Sequence, residues 1–260
     1  MNNLFIAFLL TILAGLSTII GGLLILWSKK YCQKYLALAL GFSAGIMVYL
    51  SFFELLRESF ILVEFYWMTI IMFIIGLLLG ALVDFITHKI VGTQHISGCR
   101  RENDIAGSKK KILYKVGLIT AIALTLHNFP EGVATFITTS FDLRLGLSIA
   151  VAVAIHNIPE GLCVALPIYY ATQNKTKAIL YTVIAALAEP FGALMTFLFL
   201  RSVITDNVLG NIYAIVAGIM VYVALDELLP TARKFQYKHL GLIGLIIGMI
   251  VMAISLYLLK

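Results

Sequence analysis

Charge is scarce in this chain. Only 12% of its 260 residues are Asp, Glu, Lys or Arg, and 61% are apolar. A soluble domain carries roughly 25% charged residues, so an ordinary soluble globule is excluded. Disorder is excluded by the same apolar excess. Cysteine is equally sparse: Cys32, Cys99 and Cys163 are an odd number without CxxC spacing, which argues against a disulfide framework. Cys163 lies in an apolar run and reads as a small core residue. No H-E-x-x-H motif occurs, which removes the commonest zinc-hydrolase signature. The formal net charge of +6 is small and is better read through loop placement than as a nucleic-acid patch.

What fills the chain is long apolar runs. They fall at about 4–27, 35–56, 65–87, 114–137, 144–170, 177–200, 208–230 and 239–259. Each exceeds the ~20 residues a membrane-spanning helix needs and is too long for a strand. The sequence therefore predicts an all-α polytopic membrane protein, a single transmembrane domain over 1–260 with eight spans. The first run lacks a basic leader, and Lys29 and Lys30 follow it, so it is expected as a retained span rather than a signal peptide. Residues 88–113 are expected as a flexible cytoplasmic loop. Its His88, His95 and Cys99 read as loop residues.

The cations set an orientation. Fifteen of the 19 Lys and Arg residues follow spans 1, 3, 5 and 7, whereas Arg57, Arg144, Arg201 and Lys260 fall on the other side. The positive-inside rule places the rich side in the cytoplasm and both termini outward, which requires an even number of spans.

Two internal repeats stand out. Ala44–Ser59 (AGIMVYLSFFELLRES) and Ala217–Ala232 (AGIMVYVALDELLPTA) share nine of 16 positions at an offset of 173. Lying in spans 2 and 7, they run in opposite directions, the trace of an inverted repeat. The second repeat is His127-Asn128-Phe129-Pro130-Glu131-Gly132 in span 4 and His156-Asn157-Ile158-Pro159-Glu160-Gly161 in span 5.

This second repeat carries the chemistry. Residues i, i+1 and i+4 share one helix face, so His127, Asn128 and Glu131 point the same way, as do His156, Asn157 and Glu160. Mixed nitrogen and oxygen donors without thiolate suit a borderline divalent ion such as Zn²⁺, Fe²⁺, Mn²⁺ or Cd²⁺. Pro130 and Pro159 free the carbonyls of Leu126 and Ile155. Glu189-Pro190 in span 6 adds a third deep carboxylate. Each buried carboxylate costs ~2.5–3.5 kcal/mol on insertion scales, and no Lys or Arg lies at that depth. A bound cation, or protons, offsets that cost. A lone intramembrane His or Asn is commonly helix-to-helix glue; the duplication argues for a site instead. Asp84, Asp226, Glu227 and Glu54 lie toward span ends and read as interfacial or mouth residues. Met47, Ser51 and Glu54 share a face, with Met47 an ordinary packing residue first and a soft ligand second.

At these motifs the chain resembles the ZIP family of divalent metal transporters over nearly its whole length. The resemblance implies a bundle in which spans 1–3 and 6–8 are related by inversion around spans 4 and 5. It also implies a two-metal centre. One ion would take His127, Glu131, His156 and Glu160; the other would take Asn128, Asn157 and Glu189, with Glu131 and Glu160 bridging. The loop between spans 3 and 4 is long and His-rich in many members; only His88 and His95 stand here. The expected function is uptake of divalent transition metals, chiefly Zn²⁺, through the cell membrane into the cytoplasm by alternating access. No enzyme activity and no separate cofactor are expected. The expected partners are the ions and the lipid bilayer, not nucleic acid, and a homodimer is compatible with this reading. The rivals are an intramembrane metal hydrolase, a proton-coupled transporter of organic solutes and a scaffold whose polar groups only glue helices.

Overall fold

The computed structural model describes residues 2–26, 33–91, 105–200, 204–234 and 238–259. Among them there are eight helices and no strands. Helix α1 is Asn2–Leu23, α3 is Tyr66–Val91, α4 is Ile105–Phe141, α5 is Leu143–Thr172 and α8 is Lys238–Leu259. The other three are irregular. Helix α2 runs from Gln33–Leu50 through a π-turn at Ser51–Leu55 into Leu56–Leu62. Helix α6 runs from Lys175–Met195 into a π-turn at Thr196–Leu200. Helix α7 runs from Asp206–Tyr222 through a π-turn at Val223–Leu228 into Leu229–Lys234.

Seven of these helices are long and apolar enough to cross a membrane; α4 is not among them. Its apolar run is diluted by Lys115 at one end and by His127, Asn128 and Glu131 in the middle. The outer surfaces carry large apolar side chains such as Phe5, Ile70, Leu78, Ile246 and Ile250. A soluble protein buries such residues, whereas a bilayer solvates them. The molecule is a polytopic membrane protein.

The stretch expected as a loop over 88–113 is partly helical. Helix α3 continues to Val91 and α4 begins at Ile105. The added turns carry four Lys, a good helix former whose backbone bonds hold in water. His95, Cys99 and the side chain of His88 lie outside the described residues, as does Cys32. Cys163 is buried and free, as a core residue should be.

The connections that matter are short. Asp142 alone separates α4 from α5, and its carboxylate accepts from the backbone N–H of Arg144 (2.9 Å) and Leu145 (3.0 Å). This caps orphan donors of the α5 N-terminus. Gln173 ends α5 in the left-handed region (φ 55°), and Asn174 accepts from Lys177 N–H at 3.0 Å to start α6. Both turns force antiparallel neighbours. They also set depth: His127 lies 15 residues before Asp142 and His156 lies 14 after it, while Glu160 and Glu189 stand 14 and 15 residues from Asn174. At 1.5 Å per residue His127 is level with His156, and Glu160 with Glu189, to within a few ångströms.

The helices form two packed groups. In one, α1, α4, α5 and α6 pack on one another; in the other, α2 packs on α8 and α3 on α7, with α2 against α7. Small residues set the approach within each group. A Cβ at Gly45 of α2 would overlap the carbonyl of Leu245 in α8, and one at Gly218 of α7 would overlap the carbonyl of Phe73 in α3. Gly45 and Gly218 are equivalent positions of the AGIMVY repeat, and the π-turns of α2 and α7 also fall at equivalent positions. The two groups meet through α2 against α5 and α3 against α4. Between α7 and α4, Tyr213 Oη donates to Thr138 Oγ1 at 2.8 Å.

Candidate metal centre

The seven polar residues singled out on α4, α5 and α6 are all buried, none more than 2% exposed. The duplicated motifs meet in a crossed arrangement. His127 Nε2 lies 3.5 Å from Glu160 Oε2, and His156 Nε2 lies 3.3 Å from Glu131 Oε1. Each imidazole therefore faces the carboxylate of the other helix. This follows from packing α4 antiparallel to α5 with like faces inward, since His and Glu four residues apart exchange order when the helix reverses.

Glu131, His156 and Glu160 each present a ligand atom within 4.8 Å of one another, a cluster that a single ion can bridge. His127 joins its edge through Glu160. Both oxygens of Glu131, both ring nitrogens of His156 and Nδ1 of His127 have no hydrogen-bond partner among the described residues. Buried polar atoms without partners are uncommon and costly. Here they are concentrated on groups that ligate metals.

The asparagines are anchored in matching ways. Asn128 Nδ2 donates to the Ala185 carbonyl of α6 (3.2 Å) and Asn157 Nδ2 donates to the Ala14 carbonyl of α1 (3.0 Å). Asn157 Nδ2 also hydrogen-bonds Glu189 Oε1. With the amide nitrogens so held, the Oδ1 atoms of Asn128 and Asn157 and Oε2 of Glu189 remain without hydrogen-bond partners among the described residues.

Close helix contacts hold these groups in place. A Cβ at Gly132 would overlap the Glu189 carbonyl, and one at Gly161 would overlap the Thr18 carbonyl. Conversely, a Cβ at Gly192 of α6 would meet Phe129 O, and one at Gly21 of α1 would meet Ile158 O. Thus α1 sits on α5 as α6 sits on α4. The sequence carries a weak trace of this: Thr11, Ala14, Leu16 and Gly21 recur as Thr182, Ala185, Leu187 and Gly192 at an offset of 171. In that alignment Thr18 stands where Glu189 does. Its buried Oγ1 also has no hydrogen-bond partner among the described residues.

Helix α2 also contributes a polar contact. Ser43 Oγ of α2 donates to Glu160 Oε1 at 2.9 Å. Motif reading did not find Ser43, because nothing in its local sequence says which helix it faces.

The end-of-span acids divide. Asp84 and Glu227 line a cavity of about 60 Å³ that also touches Leu126, His127, Pro130 and Tyr222. Asp226 is exposed and accepts from Tyr222 Oη at 3.0 Å. These fit the expectation of mouth residues. Glu54 does not, being 1% exposed: the π-turn that contains it packs against α7 and places it indoors. Met47 and Ser51 are also buried, and Ser51 Oγ donates back to the Met47 carbonyl at 2.7 Å.

Comparison with known proteins agrees with this architecture. A family model described as "ZIP Zinc transporter" matches residues 87–256. A protein of Clostridium perfringens named zinc transporter ZupT is 44% identical over 99% of this chain and 97% of its own length. Namesakes from Oceanobacillus iheyensis and Chlorobium phaeovibrioides are 44% and 46% identical, each with 100% of both chains aligned. With duplicated HNxPEG motifs meeting inside a helical bundle, and relatives alike from end to end, the chain belongs to the ZIP family.

Proposed function

We propose that this chain carries Zn²⁺, and with it other divalent transition metals such as Fe²⁺, Mn²⁺ and Cd²⁺, through the cell membrane into the cytoplasm. The observation that carries the reading is the crossed pairing of His127 with Glu160 and His156 with Glu131, buried and short of hydrogen-bond partners. Borderline ions prefer this mixture of imidazole and carboxylate. The relatives named as zinc transporters support zinc as the principal cargo.

The cargo ion is held first by Glu131, His156 and Glu160, with His127 completing the set. A second ion takes Asn128, Asn157 and Glu189, sharing Glu131 and Glu160. Two shared carboxylates keep the charge of the doubly loaded site low. The asparagines suit this role because their nitrogens are tied to helix carbonyls and their oxygens point elsewhere. The cavity beside His127, largely apolar but carrying Asp84 and Glu227, marks the way out, toward the side where Lys and Arg concentrate.

The access change is a rearrangement of inverted halves, α1–α3 against α6–α8, around the site on α4 and α5. Supporting this are the matched Gly45 and Gly218 contacts, the matched π-turns and the matched seats of α1 and α6. The termini face outward, by the cation asymmetry. Transport rather than hydrolysis follows from two like copies of one motif, which suit a path better than an asymmetric catalytic step.

Radiozinc uptake into proteoliposomes tests the reading. The expected result is uptake by the wild type and its loss in Glu131→Ala and His156→Ala. Unchanged uptake in both variants means the ion travels elsewhere.

A further inference from the structure

The two bridging carboxylates are not equivalent in this structure. Glu160 is gripped by Ser43 Oγ at 2.9 Å, with Ser43 itself fully buried. Glu131 faces only the His156 imidazole, 3.3 Å from Oε1, and has no hydroxyl donor on either oxygen among the described residues. The sequence repeat carries a parallel asymmetry. Ser43 immediately precedes the AGIMVY segment of α2, and the equivalent position before the AGIMVY segment of α7 is Val216. Where α2 offers a hydroxyl, α7 offers a methyl.

We infer that Ser43 is a positioning residue for the metal centre: its hydroxyl fixes the Glu160 carboxylate so that Oε2 stays toward His127 while Oε1 is held from behind. The inference rests on the metal site proposed above. The chemistry is that of an outer-shell hydrogen bond, which restricts a ligand's rotamers and so lowers the entropy lost when metal binds. Glu131, without such a donor, is the carboxylate that adjusts as an ion arrives or leaves. Because Ser43 belongs to the α2–α3–α7–α8 group and Glu160 to the other, the bond also ties ligand geometry to the relation between the two groups.

The test uses full-length protein and Zn²⁺. Zinc affinity is read in detergent by competition with a chromogenic chelator, and radiozinc uptake is read in proteoliposomes. Ser43→Ala is expected to weaken zinc affinity about tenfold, the low end for loss of an outer-shell partner. It should raise KM by a similar factor and leave the maximal rate within about twofold. Ser43→Thr, which keeps the hydroxyl, should restore affinity. Ser43→Cys, nearly the same size but a weak donor, should fall between Ala and wild type, and serves if Ser43→Ala does not fold. Glu131→Ala is run alongside. If it loses zinc while Ser43→Ala and Ser43→Cys bind like wild type, the metal site stands and the role of Ser43 is wrong. If Glu131→Ala binds zinc normally, the site itself is wrong. A fall in maximal rate with unchanged KM in Ser43→Ala would also overturn the positioning role.

Discussion

His156 of α5 lies 3.3 Å from Glu131 of α4, and the mirrored contact, His127 to Glu160, spans 3.5 Å. The four side chains therefore form one cluster shared by two helices. Residues serving one ion are not additive. His156→Ala and Glu131→Ala should each weaken zinc binding by ~100-fold, the scale of breaking a buried charged pair at ~3 kcal/mol. The double variant should lose clearly less than the product. Zinc titrations of the four proteins measure this, and strict additivity would show that the two residues hold different ions.

Metal ligands must shed their protons. Imidazole accepts a metal only when neutral, and a carboxylate binds best ionised. Zinc affinity should therefore fall as pH is lowered, and binding near pH ~6.5, where imidazoles in water are half protonated, should release protons. Titration calorimetry in two buffers of different ionisation enthalpy counts them. Identical heats in both buffers would argue against imidazole and carboxylate ligands.

Gly132 has no room for a side chain against the Glu189 carbonyl of α6. Gly132→Ala should cost ~1–3 kcal/mol through overpacking and displace the backbone carrying Glu131 and Glu189. The expected outcome is a lower melting temperature by several degrees together with weaker zinc binding. A variant with wild-type melting and affinity would mean that α4 and α6 are not in such close contact.

Orientation is open to direct labelling. With Cys32, Cys99 and Cys163 replaced by Ser, Glu64→Cys between α2 and α3 should react with a membrane-impermeant maleimide in intact cells. Lys175→Cys between α5 and α6 should react only after permeabilisation. The reverse pattern would refute termini that face outward.

Much of this was legible in the sequence because a bilayer leaves few choices. Helices of fixed length were the only solution for runs such as 65–87 and 239–259. The face shared by His127, Asn128 and Glu131 followed from helix periodicity, and all seven expected residues are buried. What stayed hidden depended on neighbours. That Ser43 meets Glu160, 117 residues away, is a tertiary fact with no local signal. The burial of Glu54 arises from a π-turn, which no propensity at Ser51–Leu55 announces. The match of α1 to α6 was too faint to read before the glycine contacts picked out Gly21 and Gly192 as equivalents. The helical ends over 88–91 and 105–113 were missed because charged helices that leave the bilayer look like loop by hydropathy.

The one-residue turn at Asp142 and the two-residue turn at Gln173–Asn174 have a consequence for biogenesis. All seven candidate ligands lie on three successive helices, and α1 and α2, which supply Ala14 and Ser43, precede them. Closing such short turns costs little entropy. By the time synthesis reaches residue 200, all seven candidate ligands and their hydrogen-bond partners Ala14, Ser43 and Ala185 have been made. Helices α7 and α8 then arrive to pack on α3 and α2, so the centre is assembled early and the remainder of the bundle is closed around it.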